Sequence, residues 1–466
     1  MLLDFKKSMS ISTASEVITA AEFEKKTNQL SNYLLSTGFQ KNDYALIHAD
    51  NSIEYLFLIL ALWKISAVPV LVNNKLTENE LKEIIQVVNP KFIFTDNAIS
   101  NFPECIRINN LQFDGDEQIK NDCTSFESEL IIFTSGSSGN SKGVVHTLGN
   151  IYNSVMNIKE IERFDYSDNF LLSLPLYHIG GLMIFFRSYF SSAKFTIPKS
   201  LKTDELISEI NLNKITILSL VPTQLRRIIN QEIISPKSLR SIYIGGAASD
   251  DELIEKALAL SWQIKKVYGS TETCSMVAIN DLTKNPNRIK SSGKPITNNY
   301  FYILKDDGNP CSFNESGQIG IKGNTLFKKY FLDEEETSKV FLGEIFLTGD
   351  YGYIDAAGFL FITGRIKKII ISGGENIDPI EVENAIKKID ESLNPIVFGI
   401  KNADWGEIVC AVIESQKKYS EIDIKNQLRN KIAPHKIPKK IKVIQSFPRN
   451  DVGKVEINKL EELFNH

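Results

Sequence analysis

Tyr44–His48, Ala67–Val72 and Lys91–Thr95 are short runs, apolar almost throughout, separated by segments that carry helix signals. A strand without polar alternation has to be covered on both faces, and strands alternating with helices pair in parallel. Thr19 with Glu22, Asn51 with Glu54 and Thr77 with Glu80 each have the spacing of a helix-capping pair. After the first of these, Phe23, Leu30, Tyr33 and Leu34 share one helical face until Gly38 stops it. A second pass of apolar runs at Phe170–Leu174, Ile215–Leu220, Ser241–Ile244 and Gln263–Tyr268 repeats the pattern. No fixed short period appears, which argues against a solenoid.

The pattern changes after about Leu326. Residues 342–374 are rich in glycine and β-formers, with turn signals at Ala356, Ala357 and Gly358 and at Ser372, Gly373 and Gly374. A tail of small-domain size follows. Pro379 is placed to open a helix reaching Lys388. Strands near Pro395–Ile400, Ile408–Ile413 and Ile441–Ile444, with a helix near Ile422–Lys431, complete an α+β unit. The expected fold is α/β: a large N-terminal domain of doubly covered, mainly parallel sheets over residues 1–364, and a small, mobile C-terminal α+β domain over 365–466. The junction is expected near Gly364–Lys368.

At 466 residues the chain exceeds what one core usually serves. Its 53 basic and 57 acidic residues are spread throughout, with no basic stripe of the kind that grips nucleic acid. Five dispersed cysteines form no C-x-x-C pair, which argues against a zinc site or a disulfide framework and fits a reducing compartment. The start lacks signal-peptide order, and the longest apolar stretch, Tyr55 to Trp63, is too short to span a bilayer. The expectation is a soluble cytoplasmic protein without a membrane span, monomeric or homo-oligomeric, acting on a small molecule.

Chemistry concentrates between Thr134 and Gly143. After the apolar Ile131, Ile132 and Phe133, this segment holds five hydroxyl side chains, three glycines and Lys142. Thr134, Ser135, Gly136, Ser137, Ser138 and Gly139 can aim successive donors inward at a polyphosphate, although glycine and serine also build ordinary surface loops. It is not a Walker A loop, because Asn140 and Ser141 separate Gly139 from Lys142.

Other patches allow two readings each. Tyr268, Gly269, Ser270, Thr271, Glu272 and Thr273 follow a strand and read as a ligand edge or as a helix N-cap. Thr348, Gly349 and Asp350 end a strand, with Arg365 and Lys367 beyond. They suit a ribose, or are turn residues with a surface ion pair. Gly373 and Gly374 form a turn before a helix. His178, in the run Leu174 to Leu182, is a pocket group or a satisfied structural histidine. Arg187 lies in an aromatic stretch, as a charge partner or an arginine snorkelling from an amphipathic helix. Lys454 follows Pro448, Arg449 and Gly453 and alone would be a solvated surface residue.

Together these patches resemble the acyl-adenylate-forming superfamily, in its acyl–coenzyme A ligase branch. The 134–143 segment is similar to its phosphate loop T-S-G-[ST]-[ST]-G-x-P-K-G, with Ser141 in place of proline. Seven such patches occur in superfamily order from residue 134 to residue 454. The resemblance implies ATP, coenzyme A and Mg²⁺ as the small molecules used beside a carboxylic acid. It places Thr271 at the α-phosphate, Glu272 on Mg²⁺, Tyr268 at adenine with Gly269 among the cofactor-binding residues beside it, and Gly246 and Ala247 beneath adenine and the acyl group. Asp350 and Arg365 would hold the ribose. Lys367 would be the hinge, beside Lys368 where an acidic residue is usual. Gly373 and Gly374 would face the pantetheine arm, His178 would line the carboxylate pocket, and Lys454 would stabilise charge during adenylation. Within the branch, Ser173–Gly181, His146 with Thr147 and Val221–Gln224 look most like a ligase of an aryl dicarboxylic acid. Other aryl and medium-chain acyl ligases share much of this. Transfer to a carrier-protein thiol, and nucleotide sensing without turnover, are the rival readings.

Overall fold

The structure is a computed structural model and describes residues 9–96, 105–113, 116–119, 122–134, 141–247, 249–365, 369–448 and 455–464. The chain divides into two compact units. One comprises Met1–Asn74, Val88–Phe133 and Gly143–Ile366; the other comprises Lys75–Val87, Thr134–Lys142 and Lys367–His466.

The first unit holds a nine-stranded and a seven-stranded sheet. Parallel pairs form the interior of each. Tyr44–His48 lies between Val68–Leu71 and Phe92–Thr95, and Ser241–Ile244 lies between Ile217–Leu220 and Ile264–Ser270. Val68–Leu71, Ile217–Leu220 and Ser241–Ile244 are buried at every residue, so their apolar runs face cover on both sides. One core cluster runs from Ile47 and Ile132 on the seven-stranded sheet to Phe170 and Ile217 on the nine-stranded sheet. It passes through the helices Ala20–Ser36, Ile53–Lys64, Leu148–Glu162 and Ile179–Ser191. The apolar stretch ending at Trp63 is thus a buried helix, and no described helix is long and apolar enough to cross a membrane. Its closing Lys64 is fully buried and pairs with Asp122 at 3.1 Å.

One local expectation is corrected, and antiparallel strands accompany the parallel ones. The helix from Ile53 is capped by Ser52, whose side chain accepts the Tyr55 N–H, not by Asn51. Antiparallel strands edge the nine-stranded sheet at Ser275–Asp281 and Lys294–Pro295. A separate five-stranded antiparallel sheet is built from Asn299–Leu304, Gly317–Gly323, Phe341–Leu342, Ile345–Ile354 and Leu360–Arg365.

The second unit has a five-stranded sheet whose long hairpin pairs Asn394–Asn402 with Gly406–Glu414. Pro379 opens the helix Pro379–Lys387, and the Asp378 side chain accepts the Ile380 N–H. Ile377, Val382, Ile386, Val409 and Ile424 meet in its core. All five cysteines are free thiols.

Candidate active site

The strand Lys142–Thr147 leaves the glycine-rich segment and carries a buried histidine. His146 Nε2 lies 2.7 Å from the carbonyl oxygen of Thr271. Burial pushes this imidazole down to about 4, so the ring is neutral near pH 7. Its partner is a carbonyl, so the proton sits on Nε2 and the ring donates. On its other side the same strand pairs with Lys329–Tyr330, placing Tyr330 opposite Val144. The Tyr330 hydroxyl donates to Glu272 Oε1 at 3.0 Å, and the Phe327 N–H donates to the Glu272 carbonyl at 2.8 Å. One strand and its neighbour therefore fix both Thr271 and Glu272.

The turn carrying these residues joins Ile264–Ser270 to Ser275–Asp281 as an antiparallel hairpin, with a register shift at Tyr268 and Gly269. This corrects the helix N-cap alternative. Thr273 Oγ1 instead accepts the Ser270 N–H at 2.8 Å and donates to the Ser275 carbonyl at 2.8 Å. Only glycine fits at position 269, because a Cβ there would lie 1.8 Å from the Ser275 carbonyl oxygen. Cys274 and Ser275 have φ of 54° and 82°, an unfavourable region for non-glycine residues. Strain of this kind collects where a turn has to present particular groups.

Tyr268 and Asp350 are joined directly: the phenol donates to Asp350 Oδ2 at 2.7 Å. Asp350 does not end a strand, as the sequence suggests, but lies within Ile345–Ile354, opposite Arg365 in the ladder to Leu360–Arg365. Gly349, at φ 76°, lets the Thr348 hydroxyl accept the Asp350 N–H at 3.1 Å. Gly245 and Gly246 follow the strand Ser241–Ile244. A Cβ on Gly245 would come within 2.6 Å of the Val267 side chain, and Gly246 has φ 80°. Ala247 is half-buried beside them.

His178 begins the helix Ile179–Ser191, and its ring centroid lies 4.6 Å from that of Tyr177. The approach to it is tied down by a residue that sequence reading assigned to a cap. Asn51 donates to the Leu174 carbonyl at 3.0 Å and accepts the Leu176 N–H at 2.8 Å. Gln224 donates to the neighbouring Ser173 carbonyl at 2.9 Å. Arg187 is not snorkelling: it is 2% exposed, with Nη2 donating to Ser275 Oγ at 2.9 Å. Burial pushes its guanidinium down to about 10, which leaves it charged at neutral pH.

In the second unit Gly373 and Gly374, with φ of 63° and 91°, turn the hairpin Ile370–Ser372 to Glu375–Ile377. A short strand therefore stands between this turn and the helix the sequence places directly after it. The Gly373 N–H donates to the Trp405 carbonyl, and a Cβ at Gly373 would meet the Trp405 ring at 2.9 Å. Ser135, Gly136, Ser137, Ser138, Gly139, Lys367, Lys368 and Lys454 lie outside the described residues, and Arg365 is described only by its backbone. Thr134 and Lys142 end the two strands that flank the glycine-rich segment.

A hydroxyl–carboxylate turn at the C-terminal end of a strand in an α/β sheet, beside a tyrosine bonded to an aspartate, is where such a sheet presents groups to a ligand. The chain belongs to the AMP-binding enzyme family: residues 6–331 match its main model, and residues 381–454 match the AMP-binding enzyme C-terminal domain. It is 30% identical to 2-succinylbenzoate–CoA ligase of Bacillus velezensis, over 91% of this chain and 88% of that protein. For the Bacillus subtilis ligase the identity is 28%, over 96% and 93%. The structure is similar to that of a double mutant of Bacillus subtilis o-succinylbenzoate CoA synthetase bound to a product analogue, with TM-score 0.92, 28% identity and 98% and 96% of the two chains covered. An amide bond synthetase from Marinactinospora thermotolerans shares the fold at TM-score 0.88 and 19% identity, with 99% and 98% covered.

Proposed function

We propose that this chain is an AMP-forming carboxylate–coenzyme A ligase whose acid is o-succinylbenzoate, activated in the cytoplasm for menaquinone biosynthesis. The observation that carries the reading is the clamp on Thr271 and Glu272. The strand leaving the phosphate-loop segment and its neighbour Lys329–Tyr330 hold the turn that would meet the α-phosphate, through His146 and Tyr330. The relatives named above support the choice of acid, as do the runs Ser173–Gly181 and Val221–Gln224.

In the first half-reaction the substrate carboxylate attacks the α-phosphorus of ATP, forming acyl-adenylate and releasing pyrophosphate. In the second, the coenzyme A thiol attacks the acyl carbon and AMP leaves. A carboxylate is already a nucleophile, so the first step needs orientation and charge stabilisation rather than a base. Thr271, held through its own carbonyl, donates toward the α-phosphate. The phosphate loop (Thr134, Ser135, Gly136, Ser137, Ser138, Gly139, Lys142) and Lys454 supply the remaining donors and charge. Asp350 accepts the ribose hydroxyls with Arg365 opposite it, while Tyr268, fixed by Asp350, lies against adenine beside Gly246 and Ala247. Glu272 fits Mg²⁺, because nucleotide-bound magnesium takes one or two carboxylates plus phosphate oxygens, and Tyr330 already orients this carboxylate. When bound, the ion would neutralise phosphate charge.

His178 and Arg187 serve the acid, Arg187 as the cation for its second carboxylate. Gly373 and Gly374 let the pantetheine arm approach the backbone. Residues 1–364 form the large domain and 365–466 the lid, turning about Lys367 between the two steps. The test is pyrophosphate release over a panel of carboxylic acids, with and without coenzyme A. The reading expects o-succinylbenzoate to exceed benzoate and medium-chain acids by at least about a hundredfold in kcat/KM, because unpaired buried groups penalise analogues. Comparable rates with those acids would leave only a general acyl–coenzyme A ligase.

A further inference from the structure

Lys75–Val87 belongs to the same compact unit as the C-terminal segment, although it is far away in sequence. The helix Glu78–Val88 begins with a complete capping box: Glu80 Oε2 accepts both the N–H and the hydroxyl of Thr77 at 2.8 Å. The other oxygen of Glu80 accepts a bond from Lys436 Nζ at 2.6 Å, and Lys436 also donates to Glu381 Oε1 at 2.5 Å. Lys436 is 3% exposed, and both carboxylates are largely buried with it. Burial opposes the lysine charge, but Glu381 and Glu80 together outweigh it and raise the ammonium pKa.

Two more bonds flank this triad. Lys75 pairs with Glu375 at 3.1 Å, and Asn79 donates to the Asn430 carbonyl at 2.7 Å. A buried ion triad is a poor way to gain stability, because desolvation offsets most of the attraction and apolar packing serves better. Its advantage is reversibility. Separated charged groups hydrate readily, whereas an opened apolar contact stays adhesive. Glu375 also follows directly on Gly373 and Gly374, so the bonded segment borders the hairpin assigned to thioester formation.

Building on the proposed function, we propose that Glu80 and Lys436 form a separable latch. It holds the helix Glu78–Val88 against the C-terminal segment while coenzyme A discharges the acyl-adenylate. Glu80 is then a positioning residue for that half-reaction and takes no part in adenylation.

Glu80→Gln isolates this role, because glutamine serves equally well in a capping box and the helix should still form. The expected result is unchanged acyl-adenylate formation, with discharge of preformed acyl-adenylate by coenzyme A slowed about tenfold or more, as misplacement of reacting groups does. Lys436→Met should give the same split. In ligand-free protein, amide hydrogen exchange over Glu78–Val88 should quicken in both variants. Equal slowing of both half-reactions, unchanged discharge, or unchanged exchange would each overturn the latch. A wild-type enzyme that forms acyl-adenylate but no thioester would overturn the ligase reading and the latch with it.

Discussion

Replacing His146 by leucine and by glutamine separates the two things this residue does. Leucine is close in volume but leaves the Thr271 carbonyl, now facing His146 Nε2 at 2.7 Å, without its donor. His146 is fully buried, so water cannot take its place without rearrangement. An unsatisfied buried acceptor costs about 1–3 kcal/mol. The turn can avoid this by shifting, which moves Thr271 and Glu272, and a shift of about 1 Å can cost around a hundredfold in rate. His146→Leu should therefore unfold at lower urea concentration by about 1–3 kcal/mol, or release pyrophosphate about ten- to a hundredfold more slowly, or show both in part. Glutamine carries an N–H donor at nearly the position of Nε2, so His146→Gln should stay within about threefold of wild type in rate. Urea unfolding curves and pyrophosphate release with saturating acid would measure both variants. Leucine behaving like wild type in both assays, or glutamine behaving like leucine, would refute the clamp.

Burial pushes His48, His146 and His435 each down to about 4. Unfolded imidazoles titrate near 6.5, so between these values the unfolded chain binds more protons. Stability should therefore be flat above about pH 6.5 and fall toward pH 4, by up to roughly 1.4 kcal/mol per pH unit for each histidine. Urea unfolding at several pH values should show this, with a shallower slope in His146→Gln; an unchanged slope would count against the buried neutral ring. Arg187→Met should raise KM for o-succinylbenzoate about ten- to a hundredfold, while removing a buried charge that burial itself disfavours limits the loss of thermal stability; an unchanged KM would remove Arg187 from the acid site. Tyr268→Phe breaks the 2.7 Å bond to Asp350 and should raise KM for ATP about three- to tenfold, equivalent to roughly 1 kcal/mol. An unchanged KM for ATP would separate that bond from nucleotide binding.

The parallel strands are legible because they are buried on both faces. Tyr44–His48 and Ser241–Ile244 coincide with the apolar runs, and the pairs Thr19 with Glu22 and Thr77 with Glu80 are true capping boxes. The antiparallel sheet is harder to read. In Asn299–Leu304 the outward positions are Tyr300 and Tyr302, so the polar alternation that marks a half-exposed strand is blurred. Motif order points to Thr271, Glu272, Tyr268 and Asp350, but the groups that hold the turn are another matter. His146 has a local signal, a histidine inside the apolar run Val144 and Val145, and it enters the sequence reading only as part of a resemblance. Tyr330 has none, since its approach to Glu272 depends on strand pairing between distant segments. Asn51 is misread because Asn51 with Glu54 mimics a cap, while Ser52 performs the capping.

Oxygen transfer tests the central claim most directly. When o-succinylbenzoate labelled with ¹⁸O in its carboxyl groups is turned over with ATP, Mg²⁺ and coenzyme A, attack by the carboxylate on the α-phosphorus must leave one labelled oxygen in AMP. Mass spectrometry of the nucleotide should find that label in AMP, alongside unlabelled pyrophosphate. Label appearing instead in inorganic phosphate, with ADP as the nucleotide product, would contradict an acyl-adenylate and the function built on it.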